Sequence, residues 1–327
     1  MGVNVIRYSE NNEVKWGVVL QGDQVVPIQG TYESLSEFLK YGVPLAKQVI
    51  KTPIDTVYLK DLAILSPVTE PARIVCQGAN YSSHRHESGL DGSRPPYNLI
   101  FTKADSSLTG AYDDIICPSH VQLLDYEIEL GLVIGTAINE PVEVTEQNIH
   151  QYVAGIVIAN DVSARDTQIM EMQWYKGKSY RTFCPVGPYL YLLDEGETSL
   201  LGQLSLNLWV NGELRQAADT SQLLYKPAET LTELAGLMNL SPGDLILTGT
   251  TGGVCLKMNG EIIQKIINPS LSHEEKVQFF VESQQGNRYL KNGDIVRCEI
   301  KSLDGSIDLG VQENRVVVPT VVETTFK

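Results

Sequence analysis

The sequence predicts an α+β fold in which strands predominate. Short apolar runs recur at brief intervals and are separated by glycine, proline and asparagine turn signals. Few stretches show a sustained helical period, and strands do not alternate regularly with helices, so a doubly wound parallel sheet is disfavoured. A mixed or antiparallel β-fold folded back on itself fits better. We expect a small β-rich domain over residues 1–65 and a larger domain over residues 66–327.

The first domain is predicted from three strand-like runs and one helix. Val3–Tyr8, Val14–Leu20 and Gln24–Ile28 are separated by turn signals, and a helix is expected over Tyr32–Tyr41. The proline at position 67 and the proline at position 71 mark the boundary.

The second domain is predicted to contain further short strands and two helices. The expected strands are Arg73–Gln77, Leu99–Lys103, Tyr126–Ile134, Gly155–Ala159, Leu204–Val210, Asp244–Thr248 and Asp294–Ile300, and the expected helices are Glu146–Tyr152 and Thr230–Met238. Residues 256–290 are polar and irregular and are interpreted as an insertion between two strands.

The charge balance restricts the class of partner. The chain has 327 residues, with 25 Lys plus Arg against 40 Asp plus Glu, a formal net charge of −15. A net negative chain without a basic patch is a poor match for phosphate backbones, so we expect no nucleic acid. The apolar stretches are too short to span a bilayer, which predicts no membrane partner and a cytoplasmic protein. An anionic substrate would then need a metal ion or a few well-placed cations.

A group of carboxylates is the strongest chemical signal. Glu127 and Glu129 are two apart in a predicted strand and therefore share a face. Asp161 ends a very apolar run, where an unpaired charge would be costly. Two like charges on one face repel unless a cation lies between them. Three carboxylates without His or Cys partners suit a hard cation, so we expect Mg²⁺, with Mn²⁺ or Ca²⁺ as alternatives.

A histidine-rich segment offers a general base. If residues 81–88 form a helical turn, His84 and Glu87 are neighbours at a spacing of three, and a carboxylate beside an imidazole raises its basicity. His86 is an alternative base. The segment Ser88–Tyr97 is rich in glycine and proline and is interpreted as a mobile loop or lid.

Two further segments could bind an anion. Lys178 and Lys103 are candidate point charges for a substrate carboxylate, although isolated lysines are more often surface residues. The glycine-rich turn at residues 247–253 could present backbone donors and the hydroxyl of Thr250, but it lacks the ending of a nucleotide-binding loop.

These segments, in this order, resemble the fumarylacetoacetate hydrolase family. The matching pieces are GANYSSHRHE, FTKADSSL, DYEIELGLVIG, ANDVSARDTQ, GKSYRTFCPVGP and LTGTTGGV. The resemblance implies a mixed β-roll or β-sandwich catalytic domain, a homodimer and a bound divalent metal.

Carried onto this chain, the resemblance implies a role for each matching residue. The metal ligands would be Glu127, Glu129 and Asp161; the catalytic residues His84, Glu87 and Lys178; and the substrate contacts Tyr81, Lys103, Gln168 and Thr250. Arg165 would be structural. The chain departs from the family pattern at Ala104 and Thr251, where proline is usual, and this leaves the substrate open.

The implied activity is metal-dependent hydrolysis of a C–C bond in an acylpyruvate-like or fumarylacetoacetate-like 1,3-dicarbonyl acid. His84 and Glu87 would activate water, and the metal would stabilise the enolate. The alternatives are decarboxylation of an oxaloacetate-like acid, and isomerisation or hydration of an unsaturated 2-oxo acid. A catalytically idle relative that binds a metal and an anion is the alternative outside the enzymes.

Overall fold

Two large β-sheets face each other across the main hydrophobic core. The structure is a computed structural model that describes residues 2–20, 23–49 and 55–319. A 13-stranded mixed sheet contributes one wall, a five-stranded sheet contributes the other, and a two-stranded pair completes the strands. This mixed, strand-rich architecture confirms the predicted fold class.

The strands are mostly short. They are β1 Val3–Glu10, β2 Glu13–Leu20, β3 Gln24–Ile28, β4 Val57–Tyr58, β5 Ala63–Leu65, β6 Ile74–Gly78, β7 Leu99–Lys103, β8 Leu108–Gly110, β9 Ile115–Ile116, β10 Leu124–Asp125, β11 Ile128–Ile134, β12 Val153–Asn160, β13 Ser163–Ala164, β14 Cys184–Val186, β15 Leu190–Leu192, β16 Leu204–Val210, β17 Glu213–Asp219, β18 Leu245–Leu247, β19 Ile295–Ser302 and β20 Asp308–Val317. The main path of the large sheet is β4-β3-β2-β1-β15-β12-β11-β18-β6-β7, and the second sheet runs β17-β16-β19-β20-β9.

The helices are α1 Leu35–Glu37, α2 Val43–Val49, α3 Ser82–Glu87, α4 Arg165–Met170, α5 Trp174–Lys178, α6 Pro227–Leu237, α7 Gly260–Ile267 and α8 His273–Ser283. The expected helix over Tyr32–Tyr41 begins later, passes through a π-helical turn at Phe38–Gly42 and continues into α2. The expected helix over Glu146–Tyr152 is only a 3-10 turn at Ile149–Gln151. No helix among the described residues is long and apolar enough to cross a membrane.

The expectation that residues 256–290 are irregular is wrong. They contain α7 and α8, and both helices begin at side-chain caps. Asn259 accepts the backbone N–H of Ile262, while Ser272 and Glu275 form a reciprocal capping box. The S-x-x-E spacing is visible in the sequence and indicates a helix start. The prediction of irregular structure considered only the polarity of the segment.

The pair β11–β12 is buried on both faces. Leu130 and Leu132 point into the core between the two sheets, whereas Val133 and Val157 pack into a second core that also holds α1 and α2. Strands with two buried faces have nearly continuous apolar sequences, and the sequences of β11 and β12 follow this pattern. A polar side chain at the end of such a strand is therefore surrounded by protein.

The N-terminal strands share the large sheet with the rest of the chain. β1 pairs with β15, with Val5 opposite Leu190, and also with β2 and β5. The division at residue 65 stays a prediction, and the sheet runs across it. Trp16 of β2 is 1% exposed and stacks on Phe38, with ring centroids 3.9 Å apart and an interplanar angle of 6°.

We predict that Trp16→Ala lowers the free energy of unfolding by about 3–5 kcal/mol, because it removes a buried, stacked aromatic side chain and leaves a cavity. Leu237→Ala is the matched control: Leu237 is 65% exposed, and we expect a change within about 0.5 kcal/mol. Urea unfolding of both variants measures the difference. Equal stabilities would show that this packing contributes nothing.

Candidate active site

Three carboxylates converge where β11 begins and β12 ends. Ile128 lies opposite Asn160 in the antiparallel register, and Asp161 donates its backbone N–H to the carbonyl of Glu127 at 2.8 Å. This register brings Glu127 beside Asp161, and Glu129 follows two residues along the same face. One oxygen from each of the three carboxylates lies within 4.8 Å of the others, and all three residues are buried. The predicted grouping of these side chains is confirmed.

Two lysines contact this carboxylate cluster. Lys178 Nζ lies 2.7 Å from Glu127 Oε2 and 2.6 Å from Asp161 Oδ2. Lys103 Nζ pairs with the other oxygen of Asp161 and donates to the carbonyl of Phe183 at 2.7 Å. Burial alone would lower the pKa of Lys178, but the charges of Asp161 and Glu127 outweigh it and raise that pKa. Lys178 is therefore an ammonium at neutral pH.

An arginine joins the cluster to a fourth carboxylate. Arg165 Nε lies 2.9 Å from Asp125 Oδ2, one Nη lies 2.5 Å from Glu127 Oε1, and the other donates to Gln168 Oε1 at 2.8 Å. Asp125 also accepts the backbone N–H groups of Cys255 and Leu256. Each of the three nitrogens of the Arg165 guanidinium thus donates one hydrogen bond to a protein group.

The cluster contains one more carboxylate than it has cations. Its four buried carboxylates are Asp125, Glu127, Glu129 and Asp161, and its three buried cations are Lys103, Arg165 and Lys178. Glu129 receives the backbone N–H of Gly249 at 2.7 Å, and within the described ranges no cationic side chain pairs with it. Burial, together with the charges of Asp161 and Glu127, raises its pKa well above the ordinary value.

A divalent cation fits this arrangement. The donor atoms are all carboxylate oxygens, which hard cations such as Mg²⁺ and Mn²⁺ prefer. An ion among Glu127, Glu129 and Asp161 would relieve the repulsion that disfavours the ionised form of Glu129. These three residues could therefore hold a metal ion.

A cavity of about 180 Å³ opens beside the cluster. Its inner part is lined by Glu127, Arg165, Gln168, Lys178 and Thr250, together with His84 from α3. Burial lowers the pKa of His84 below its ordinary value of 6.5, and its Nδ1 is buried without a hydrogen-bond partner in the structure. A neutral imidazole thus faces the space beside the carboxylates.

The expected contact between His84 and Glu87 is not formed. The predicted helical turn is present as α3, but Glu87 Oε2 accepts the backbone N–H of Gly253 at 2.8 Å, and Oε1 pairs with Lys257 Nζ at 2.8 Å. Gly253 has φ +104°, and a Cβ there would lie 2.0 Å from the carbonyl oxygen of Arg215, so this turn requires glycine. Glu87 is therefore held by the glycine-rich turn.

Three residues expected to contact substrate or act as a base do not line the cavity. Lys103 is buried behind Asp161, and Tyr81 is fully buried in a bridge opposite Leu223. His86 is exposed on the outer side of α3, against Gly92. Their roles in binding or catalysis stay predictions.

The sequence analysis missed the apolar half of the cavity. It consists of Leu90, Leu99, Phe101, Ile169, Trp174, Leu256 and Met258. One signal was available, because Trp174 lies four residues before Lys178 and therefore on the same face of α5. Leu256 and Met258 belong to the segment 256–290, which was interpreted as an insertion with no assigned role.

Comparison with known proteins agrees with this geometry. The family model described as Fumarylacetoacetate (FAA) hydrolase C-terminal matches residues 73–317. Oxaloacetate tautomerase FAHD2B, mitochondrial, from Bos taurus is 34% identical over 290 residues, which cover 87% of this chain and 80% of that protein.

Two solved structures show the same fold. Fumarylacetoacetate hydrolase from the psychrophile Exiguobacterium antarcticum superposes with a TM-score of 0.72 at 29% identity, and the match covers 97% of this chain and all of that one. Maleylpyruvate hydrolase from Sphingobium sp. SYK-6, solved with manganese(II) and pyruvate, gives a TM-score of 0.70 at 22% identity over 97% and 100% of the two chains. The family model covers well over half of the sequence, and the chain belongs to the fumarylacetoacetate hydrolase family.

Proposed function

We propose that this protein is a divalent-metal-dependent enzyme that moves a proton on a small 2-oxo acid and interconverts its keto and enol forms. The observation that carries the proposal is the position of His84: a buried, neutral imidazole lines the same cavity as Glu127 and Lys178. The relative from Bos taurus is named for tautomerisation of oxaloacetate, which supports this type of reaction.

The proposed metal ligands are Glu127, Glu129 and Asp161, with Mg²⁺ or Mn²⁺ as the ion. When bound, the ion would act as a Lewis acid toward the oxygens of the 2-oxo acid. Lys178 touches two of these carboxylates, so its ammonium group can also hold a developing negative charge. Gln168 and Thr250 line the same part of the cavity. The Thr250 hydroxyl donates to the carbonyl of Ile128 and accepts from Gln216, and Gln168 Oε1 accepts from Arg165, so the amide N–H groups of Gln168 are the donors proposed for the substrate.

His84 is the proposed proton-transfer group. The C–H bond next to the keto carbon breaks, its proton goes to the imidazole, and its electron pair forms the carbon–carbon double bond while the π pair of the C=O bond moves to the oxygen. The oxygen then takes up a proton from solvent or from the imidazolium, and the imidazole returns to its neutral form, so that the product has the same atoms as the substrate. An imidazole with a lowered pKa is free to accept a proton at neutral pH, and it needs no carboxylate partner for this step.

C–C bond hydrolysis, which the sequence analysis placed first, is the second candidate. It requires a base that activates water, and Glu87 was expected to assist. Glu87 is instead paired with Gly253 and Lys257. Because tautomerisation does not need Glu87, this pairing favours tautomerisation over hydrolysis. One arrangement still supports hydrolysis. His84 Nδ1 has no hydrogen-bond partner in the structure and lies one helical turn from Glu87. Lys257, the ionic partner of Glu87, is 48% exposed.

The homodimer and the cytoplasmic location stay predictions. The relative from Bos taurus is named as a mitochondrial protein. The expectation that no nucleic acid binds also stays a prediction, and it still rests on the formal charge of −15.

We predict that Glu129→Gln weakens Mn²⁺ binding by more than about 10-fold, since even a partner outside the ligand set typically contributes that much. In EDTA the variant should be no less stable than the parent, because the ionised Glu129 is disfavoured by burial and by two neighbouring carboxylates. Calorimetric Mn²⁺ titration and thermal unfolding measure the two effects.

The matched control for this metal test is Glu274→Gln, which removes an exposed carboxylate on α8. We expect it to change neither quantity. Unaltered Mn²⁺ affinity in Glu129→Gln would rule out the proposed ligand set.

We predict that His84→Gln lowers kcat for tautomerisation by about 10²- to 10⁴-fold and leaves Mn²⁺ affinity intact, because the imidazole transfers a proton and is not a ligand. In the parent enzyme, the decrease of kcat/KM at acid pH should have its midpoint below pH 6.5. The reason is that burial lowers the pKa of His84, and only the neutral ring accepts a proton.

Mn²⁺ binding measured over the same pH range separates loss of the metal from protonation of His84. A midpoint at or above pH 6.5, with the metal still bound, would contradict the role given to His84.

We predict that Glu87→Gln changes tautomerisation by less than about 3-fold but lowers acylpyruvate hydrolysis, if any is present, by about 10²-fold, because only hydrolysis needs the carboxylate beside the base. Spectrophotometric assays of both reactions on the same preparations give the comparison. Equal losses in the two reactions would mean that Glu87 acts by supporting the turn at Gly253. Lys257→Met, which removes the other partner of Glu87, is the control for that structural effect.

A further inference from the structure

The cavity has two chemically different ends. Charged and polar groups line the inner end, around Glu127 and Lys178. The outer end is lined mainly by apolar side chains from four separate parts of the chain: Leu99, Phe101, Ile169, Trp174, Leu256 and Met258. The polar residues Gln77 and Ser88 also line the cavity. Five of the six apolar residues are only partly buried, so they still have apolar surface that a ligand could cover.

The cations that line the cavity are already paired with carboxylates, and one of them borders the outer end: Lys178 Nζ lies 5.3 Å from the centroid of the Phe101 ring. Arg165 and Lys178 are the cationic residues that line the cavity in the described part of the chain. Arg165 is bonded to Asp125, Glu127 and Gln168, and Lys178 is bonded to Glu127 and Asp161. A carboxylate placed at the outer end would lose its hydration and would meet only cations whose charge is already balanced by buried carboxylates, which is costly.

The outer end contains an aromatic pair. Phe101 and Trp174 meet edge to face, with ring centroids 5.2 Å apart and planes at 74°. Gly78 makes room for this pair, since a Cβ at that position would lie 2.5 Å from the Trp174 ring. Edge-to-face pairs of this kind accept a further ring well, because the ring edges and faces carry complementary partial charges.

The outer end is closed by the lid and by the segment that begins at residue 256. Met258 donates its backbone N–H to the carbonyl of Glu87 at 3.1 Å, and Gly89 packs against Met258. Leu90 of the lid also lines the cavity. Both covering segments therefore contribute apolar side chains to the cavity wall, and the lid also contributes Ser88.

We infer that the substrate is a 2-oxo acid whose group beyond the keto carbon is uncharged and apolar, with an aryl group the best fit. This inference rests on the proposed function for the 2-oxo acid head group, and it narrows the substrate class at the other end. Oxaloacetate carries a carboxylate at that position. An arylpyruvate carries a ring there, and its C–H next to the keto carbon is also the bond that tautomerisation breaks.

Two unreactive ligands with one head group test the inference by binding alone. N-phenyloxamate presents a ring to the outer end, and N-oxalylglycine presents a carboxylate. Calorimetry on the full-length, Mn²⁺-loaded protein should show N-phenyloxamate binding at least about 10-fold more tightly. N-oxalylglycine binding equally well or better would overturn the inference.

Variants of the outer wall locate the preference. Trp174→Ala should weaken N-phenyloxamate by about 10-fold and leave oxamate itself unchanged, with Trp174→Phe restoring most of the loss. Tyr175→Ala is the matched control, since Tyr175 is exposed on the same helix and does not line the cavity. Equal weakening of both ligands in Trp174→Ala would overturn the inference.

A second variant does not depend on how well Trp174→Ala folds. Ile169→Lys adds a cation to the outer wall and should reverse the preference in favour of N-oxalylglycine. A preference that stays with the ring despite the added cation would count against the inference.

The outcomes separate the two proposals. If oxamate does not bind with Mn²⁺, the head-group assignment fails, and the inference fails with it. If the ring is preferred but no 2-oxo acid is tautomerised, only the proposed reaction fails.

Discussion

An excess of buried carboxylates over buried cations at the junction of β11 and β12 is the constraint around which the site is built. The antiparallel register brings Glu127 and Asp161 side by side and leaves Glu129 two residues away on the same face. Both faces of these strands are covered by apolar cores, so water cannot screen the repulsion. Cations must come from other elements, and β7, α4 and α5 supply Lys103, Arg165 and Lys178 respectively. Three cations against four carboxylates leave a place for an ion, and that ion would make an acidic protein locally receptive to an acidic substrate.

The elements that supply these cations also form the cavity. α4 carries Arg165, which is paired with carboxylates, and Ile169, which lines the apolar part of the cavity. α5 likewise carries Lys178, which is paired with carboxylates, and Trp174, which lines the apolar part. One helical turn therefore separates the charged part of the site from the apolar part. The distance between these two groups of side chains along each helix is set by the helical pitch.

Glu87 shows how a motif depends on its surroundings. His84 and Glu87 have a spacing that suggests a water-activating pair, and α3 does place them one turn apart. The glycine-rich turn then competes for the carboxylate, since Gly253 presents a backbone N–H and Lys257 a positive charge. A charge-assisted hydrogen bond to a backbone donor is strong. His84 remains neutral and unpaired at Nδ1, which suits simple proton transfer.

The sequence by itself determined the fold class, the strands at Leu99–Lys103 and Leu204–Val210, and the three carboxylates, because alternation in strands and the high cost of a buried charge are local properties. Only the tertiary structure decided which partner each charged group has. It also showed that the apolar wall of the cavity comes from segments as far apart as Leu99 and Met258. Hydrophobic side chains pack without directional preference. Their sequence pattern therefore predicts that they are buried, but not which other residues they contact.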